Sequence, residues 1–313
     1  MLDCAIIGGG PAGLTAGLYT TRGGLKNVSM FEMGVPGGQI TKSSEIENYP
    51  GFFDSSKTGL DFMDAWQKQC FHFGLKHEMK KVVSVQKTGA FFTITLDGGE
   101  TVEAKTAIVC TGAVPKRAGF KGEDEFYGRG VSTCATCDGF FYKDKPVTVL
   151  GGGDTALEEA FFLSNICSDV YVVHRRDTFR AAPPTIDRAM RKENIHLITD
   201  SVIEEAVGDA MGLSGVEIKN LKTDEITHMD NTGLFVFVGQ DVKNDVLKDE
   251  AGNFICEMSD LGQVIVDLKM HTSVEGLFVA GDLRIDAPKQ VVSAAGDGSI
   301  AALQVISYIQ EQQ

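Results

Sequence analysis

Cys4-Ala5-Ile6-Ile7-Gly8-Gly9-Gly10-Pro11-Ala12-Gly13 opens the chain with an apolar run that ends in closely spaced glycines. The run predicts a buried strand, and the residues after it predict a helix through about Thr21. Gly8, Gly10 and Gly13 then stand in the spacing G-x-G-x-x-G at a strand-to-helix turn. Gly8 permits the tight turn, Gly10 lets backbone approach a pyrophosphate, and Gly13 lets helix and strand pack closely. Pro11 and Ala12 fall in the first helical turn, where free N–H groups and partial positive charge face phosphates. A second strand, Val28-Ser29-Met30-Phe31, ends at Glu32. An acid at that distance from the glycines is where a ribose hydroxyl is bound. Glycines in an ordinary turn are the alternative, and the strand–helix–strand–acid order favours a dinucleotide.

The pattern recurs. Val147-Thr148-Val149-Leu150 runs into Gly151-Gly152-Gly153-Asp154-Thr155-Ala156 and a helix to about Asn165. This is the G-x-G-x-x-A variant, carried by Gly151, Gly153 and Ala156. Its second strand, Val170–Val173, ends in His174-Arg175-Arg176-Asp177, with Arg180 following. A carboxylate there would repel a 2′-phosphate, whereas guanidinium groups pair with one bidentately. The first site therefore reads as one for FAD and the second as one for NADPH. A solvated basic loop is the bland account of the arginines.

Between the two fingerprints lies Ser132-Thr133-Cys134-Ala135-Thr136-Cys137-Asp138-Gly139-Phe140-Phe141. Two cysteines at this spacing close a small disulfide, and one thiol of such a pair has a depressed pKa. A thiolate attacks a disulfide and its partner resolves the mixed disulfide. Asp138 is placed to carry protons to and from those sulfurs. Half of a zinc site and an inert buried pair are the competing readings. The zinc reading needs a second ligand pair, and the chain has neither another C-x-x-C nor an H-x-x-x-H. No metal is expected.

Composition bounds the rest. The 313 residues suffice for two domains, and 36 glycines suit a globular chain with many tight turns. No run of 18 apolar residues occurs, so no membrane span is expected. Met1-Leu2-Asp3-Cys4 lacks a basic n-region, so no signal peptide is expected. Of seven cysteines, Cys4, Cys70, Cys110, Cys167 and Cys256 are widely spaced and read as small core residues. A lone C-x-x-C among reduced thiols suits the cytoplasm. The net charge of −14 argues against a nucleic-acid partner.

The remaining stretches are read more coarsely. Gly38-Gln39 and Glu47–Gly51 lie in polar loops, and Leu60–Gly74 predicts an amphipathic helix. Lys80–Cys110 predicts a small antiparallel sheet around Asp97-Gly98-Gly99, with its last strand ending at Thr111-Gly112. Val114–Arg117 and Gln240–Lys248 read as linkers. Ile195–Val238 predicts short strands. Gly281-Asp282 follows the apolar run Leu277–Ala280, and a charge there needs a partner, which ribityl hydroxyls would supply. Lys289-Gln290-Val291 opens a long C-terminal helix.

These motifs together resemble bacterial low-molecular-weight thioredoxin reductases over nearly the full chain. The likeness is carried by Gly8–Gly13, Gly37–Gln39, Glu47–Gly51, Cys134–Phe141, Gly151–Ala160, His174–Ala181, Ala280–Arg284 and Lys289–Gly298. The resemblance implies an α/β fold of two Rossmann-like dinucleotide-binding domains, the second inserted into the first. Residues 1–115 and 246–313 would hold FAD, and residues 116–245 would hold NADPH and the redox cysteines. It implies FAD contacts at Gln39, Asn48, Asp282 and Gln290, and a homodimer. It implies that hydride passes from NADPH to flavin and on to the disulfide, and that Cys134 then attacks thioredoxin. Cys137 would face the flavin and Asp138 would serve as acid and base. Cys110 and Asp154 depart from the usual alanine and asparagine.

Chain order adds an expectation about motion. The disulfide and the NADPH fingerprint share the inserted segment, and both must reach a flavin held by the flanking segments. They cannot occupy one flavin face together, so the inserted domain is expected to rotate between half-reactions. Ferredoxin/flavodoxin–NADP reductases lack the C-x-x-C, and peroxiredoxin reductases carry an extra N-terminal dithiol domain. A non-catalytic NADPH sensor with a cysteine switch is the rival from another class.

Overall fold

A computed structural model of the protein describes residues 1–43, 46–54 and 56–312. The chain forms two compact units, Met1–Val114 with Val242–Gln313, and Pro115–Asp241.

The first unit begins with strand β1 (Leu2–Ile7), helix α1 (Pro11–Arg22) and strand β2 (Val28–Phe31). Pro11 sits in the first helical turn, where its missing N–H costs nothing. Helix α2 (Gly59–His72) begins at a capping box, in which the Asp61 N–H donates to Thr58 Oγ1 and the Thr58 N–H donates to Asp61 Oδ2. Strands β3 (Lys76–Glu78), β4 (Val82–Thr88), β5 (Phe91–Leu96) and β6 (Thr101–Val109) follow. They belong to one seven-stranded sheet, six strands of which run β3-β2-β1-β6-β5-β4, while the seventh, from near the end of the chain, pairs with β6. The antiparallel pairing expected over residues 80–110 is present, but as the edge of this larger sheet rather than a sheet of its own. The reason is the length of β6. Of its nine residues, Ala104 to Val109 pair in parallel with β1 on one side, and Thr101 to Ala104 pair antiparallel with β5 on the other.

The second unit starts at strand β7 (Ala113–Pro115), which straddles the division. Strand β8 (Val131–Ser132) and the short helix α3 (Ala135–Asp138) lead to β9 (Val147–Gly151), helix α4 (Asp154–Leu163) and β10 (Val170–Val173). Helix α5 (Pro183–Met190) lies in a stretch to which the sequence reading assigns no element. Pro183 and Pro184 occupy its first turn, the one place a helix accepts them. Strands β11 (Ile195–Ile198), β12 (Ser201–Asp209), β13 (Gly212–Asn220), β14 (Ile226–Asp230) and β15 (Leu234–Phe237) complete the unit. A parallel sheet runs β11-β10-β9-β15-β8, and β12-β13-β14 form an antiparallel one. The stretches read as linkers contain short strands, since β16 (Gln240–Val242) pairs with β7.

The chain ends with β17 (Leu277–Val279), which pairs with the second half of β6, and helix α6 (Val291–Glu311). Helix α6 packs on α1 so closely that a Cβ on Gly298 would strike the Ala12 carbonyl. Phe92, Ile94 and Phe278 are fully buried around the sheet. Truncating such a phenylalanine to alanine costs about 3–5 kcal/mol. The five remaining cysteines are free and buried. Burial pushes the thiols of Cys4 and Cys70 up to about 12 and those of Cys167 and Cys256 up to about 11. They remain neutral and act as core residues.

Candidate active site

Helix α1 begins where β1 ends, and no side chain caps its N-terminus. Gly8 has φ of +105°, and a Cβ there would lie 2.5 Å from the Cys110 carbonyl oxygen. A Cβ on Gly13 would collide with the Gly8 carbonyl. Gly10 is different, because its nearest neighbour would be Gly38 Cα at 3.8 Å. Two glycines thus serve packing, and the third leaves open space before an uncapped helix end, a shape that fits a pyrophosphate. Glu32 braces this loop by accepting from the Gly9 N–H at 2.9 Å and the Gly34 N–H at 3.2 Å.

Other expected FAD residues collect beside it because β1, β6 and β17 are sheet neighbours whose carboxyl ends lie at one edge. Thr111 donates to the Lys243 carbonyl, and Gly112 accepts from the Lys243 N–H. The Gly281-Asp282 turn lies against Ala12, and Asn48 donates to Gln290 Oε1 at 3.1 Å across 242 residues of chain. Gln39 accepts from Lys42 on the surface, and Val291 starts α6 after Lys289, whose φ is +57°. The Asp282 carboxylate makes no hydrogen bond among the described residues, and burial pushes its pKa up to about 6. A ligand rich in hydroxyl donors fits that deficit. The sequence reading passed over Asp297, which accepts from the Gly281 N–H and from Arg284 and so fixes this turn to α6.

Helix α4 repeats the arrangement in the second unit. Its N-terminus has no side-chain cap, and the space around Gly153 is open. Thr155 and Ala156 lie in the first turn. Asp154 accepts from the Ala182 N–H at 2.8 Å and from Thr185 Oγ1 at 3.0 Å, which joins the turn to α5. Arg175, Arg176 and Arg180 are exposed and form no ion pair among the described residues. The Arg180 N–H donates to the Gly152 carbonyl at 2.7 Å, which holds the arginine loop beside the glycine loop. His174 is placed otherwise than its neighbours. Its ring is buried under Gly152, stacks on Phe179, and bonds through Nε2 to the Thr178 carbonyl. Burial and the adjacent arginines lower its pKa, so it supports the loop as a neutral ring.

In the same unit, Cys134 and Cys137 are joined by a disulfide with a Cα–Cα distance of 5.3 Å. The pair frames α3, with Cys134 half-buried and Cys137 exposed. Asp138 accepts from Ser132 Oγ at 2.5 Å, and its N–H donates to the Cys134 carbonyl. Burial raises the Asp138 pKa and the Ser132 bond opposes that rise. Phe140 and Phe141 expose apolar surface beside the pair. The arrangement can take two electrons into the S–S bond, with the Asp138 carboxyl one residue from Cys137 as proton donor.

Comparison with known proteins adds the following. Residues 2–298 match the model of the family described as pyridine nucleotide-disulphide oxidoreductase. The chain is 59% identical over 310 residues to a thioredoxin reductase of Helicobacter pylori, covering 99% of each. It is 42% identical over 314 residues to a thioredoxin reductase of Peptoclostridium acidaminophilum, covering 98% of this chain and 97% of that one. The crystal structure of a thioredoxin reductase from Streptococcus pyogenes superposes with a TM-score of 0.91 at 37% identity, covering 99% of both chains.

Proposed function

The chain belongs to the pyridine nucleotide-disulphide oxidoreductase family, and from that premise we propose that it is an NADPH-dependent flavoenzyme that reduces the disulfide of thioredoxin. The observation that carries this reading is the Cys134–Cys137 disulfide with Asp138 hydrogen-bonded beside it. Bound FAD and NADPH supply two electrons as hydride, the one capacity the side chains lack. The first glycine loop, with Glu32, Asn48, Asp282 and Gln290, would hold FAD. The second, with Arg175, Arg176 and Arg180, would hold NADPH by its 2′-phosphate.

The protein's own part is thiol and proton chemistry. Two electrons entering the S–S bond break it and leave two sulfurs, one of which takes the proton of Asp138. Cys134 then attacks the disulfide of thioredoxin, and Cys137 resolves the mixed disulfide, returning the pair to its oxidised state. Asp138 accepts the thiol proton released in that step. Thioredoxin leaves as a dithiol whose two protons come one with the NADPH hydride and one from solvent, and Asp138 ends each cycle as it began.

We further propose that the Pro115–Asp241 unit turns between the half-reactions about its two chain crossings, at Val114–Pro115 and Asp241–Val242. The support is that both the disulfide and the arginine-bearing fingerprint belong to that unit, while the residues suited to FAD belong to the other. A homodimer working in the cytoplasm completes the proposal. Five buried reduced thiols suit a reducing compartment, and no helix among the described residues is long and apolar enough to cross a membrane.

The test is NADPH consumption by the purified yellow protein with thioredoxin and a disulfide reporter. Flavin bleaching by NADPH without any thioredoxin turnover would favour the non-catalytic sensor. Light scattering of the same sample reports the dimer.

A further inference from the structure

Ser132 has no part in the reading above, yet it touches both chemical partners of the site. It ends β8 and is buried. Its Oγ lies 2.5 Å from Asp138 Oδ2, accepts the Cys134 N–H at 3.1 Å, and lies 3.3 Å from the Cys134 carbonyl oxygen. A hydroxyl has one proton to donate, so it cannot serve the carboxylate and the carbonyl together. With Asp138 ionised, the proton points to Oδ2, because a charge-assisted bond is shorter and stronger. The Cys134 carbonyl keeps the Asp138 N–H as its donor at 3.2 Å. With Asp138 protonated, the Ser132 hydroxyl turns to that carbonyl, and Oγ becomes the acceptor for the carboxyl proton. Both states are satisfied with no movement of the backbone.

We propose that Ser132 is a positioning residue for the dithiol step, its hydroxyl holding Asp138 in register with Cys134 in both protonation states and setting how readily Asp138 releases its proton. This rests on the reading of Cys134–Cys137 as the redox disulfide. As the S–S bond opens, the proton moves from Asp138 to the leaving sulfur, and the Ser132 bond stabilises the carboxylate left behind. As Cys134 later forms its bond to a thioredoxin sulfur, the thiol proton returns to Asp138. Burial raises the Asp138 pKa, and the Ser132 hydrogen bond is the contact that opposes it. Tyr142, which follows Asp138 in the turn Gly139–Tyr142, is a titratable side chain that feels its charge, and helix α4, which packs on α3, carries a second carboxyl group at Glu159. Burial first, then the Asp138 charge, pushes Tyr142 up to about 12, so it stays neutral throughout.

The experiment follows the Asp138 carboxyl band by infrared difference titration of the holoenzyme, with the band assigned by its loss in Asp138→Asn. Ser132→Ala should move the midpoint to higher pH and lower thioredoxin turnover at neutral pH about ten-fold, less than the loss of the acid itself. Ser132→Thr keeps the hydroxyl and should restore both. An unmoved midpoint in Ser132→Ala overturns the proposal, and that midpoint decides alone if the added methyl of threonine distorts the buried site. A wild-type enzyme that fails to turn over thioredoxin would instead sink the functional reading, and the infrared midpoint would still judge Ser132.

Discussion

Arg284 grips Asp297 through two nitrogens, with Nε 2.6 Å from Oδ2 and Nη2 3.1 Å from Oδ1. Asp297 also accepts the Gly281 N–H at 3.1 Å, and both side chains of the pair are largely buried. One carboxylate on α6 thus fixes the turn that presents Asp282. Removing one member of a buried pair strands the other charge, at a cost of about 3–5 kcal/mol. Asp297→Ala should lower the melting temperature sharply and release FAD. Retention of wild-type stability and flavin content would show that the turn is held by other contacts.

Asp282 makes stability depend on pH in a definite direction. Burial raises its folded pKa to about 6, above the ordinary 3.8. The folded state therefore binds the proton more tightly, and stability falls as pH rises from about 4 through 6. The full penalty above pH 6 is about 3 kcal/mol. In flavin-free protein, Asp282→Asn should remove this fall and melt higher than wild type at pH 7. With FAD bound, the same substitution should weaken the complex. Identical melting curves for the two flavin-free proteins across pH 4 to 7 would refute the burial argument.

Arg175 and Arg176 stand exposed and unpaired with any acid among the described residues. Replacing both by alanine should raise KM for NADPH by ten-fold or more, as expected for losing charge-assisted bonds worth about 1.5–3 kcal/mol each. NADH, without the 2′-phosphate, should be affected much less. Equal losses with both nucleotides would mean that these arginines do not read that phosphate.

Gly152 lies over the ring of His174, and an added Cβ would run into that ring. Gly152→Ala should destabilise the second unit by about 1–3 kcal/mol through overpacking. Because His174 supports the loop bearing Arg175 to Arg180, KM for NADPH should rise while FAD content stays unchanged. Steady-state kinetics and flavin absorbance of one preparation test this together, and a fall in FAD content would point to a different defect.

Cys134→Ser and Cys137→Ser should each still accept hydride from NADPH into the flavin and should each lose thioredoxin turnover. Asp138→Asn should keep flavin reduction and slow the dithiol step by roughly a hundred- to ten-thousand-fold. Stopped-flow absorbance separates the two half-reactions. Full thioredoxin turnover by Cys134→Ser would end the proposed electron path.

The glycine fingerprints, the cysteine pair, the arginines after β10 and the isolated charge of Asp282 were all readable in the sequence. Each is chemistry that a single turn of chain must supply, so the residue types and their spacing carry it. The roles of Ser132, His174 and Asp297 were not readable, nor was the contact of Asn48 with Gln290. Ser132 meets Asp138 only because β8 enters the parallel sheet beside β15 and α3 then folds back. His174 turns inward because Gly152 leaves room for a ring that its exposed neighbours do not need. Asp297 looks like one more polar residue on a small-residue helix until α6 packs against α1 and the turn after β17. Likewise β6 is shared by β1, β5 and β17. Local spacing determined which chemistry the chain carries, while tertiary packing decided which distant polar groups are buried together, because a buried charge or hydroxyl must find its partner among whatever the core brings within reach.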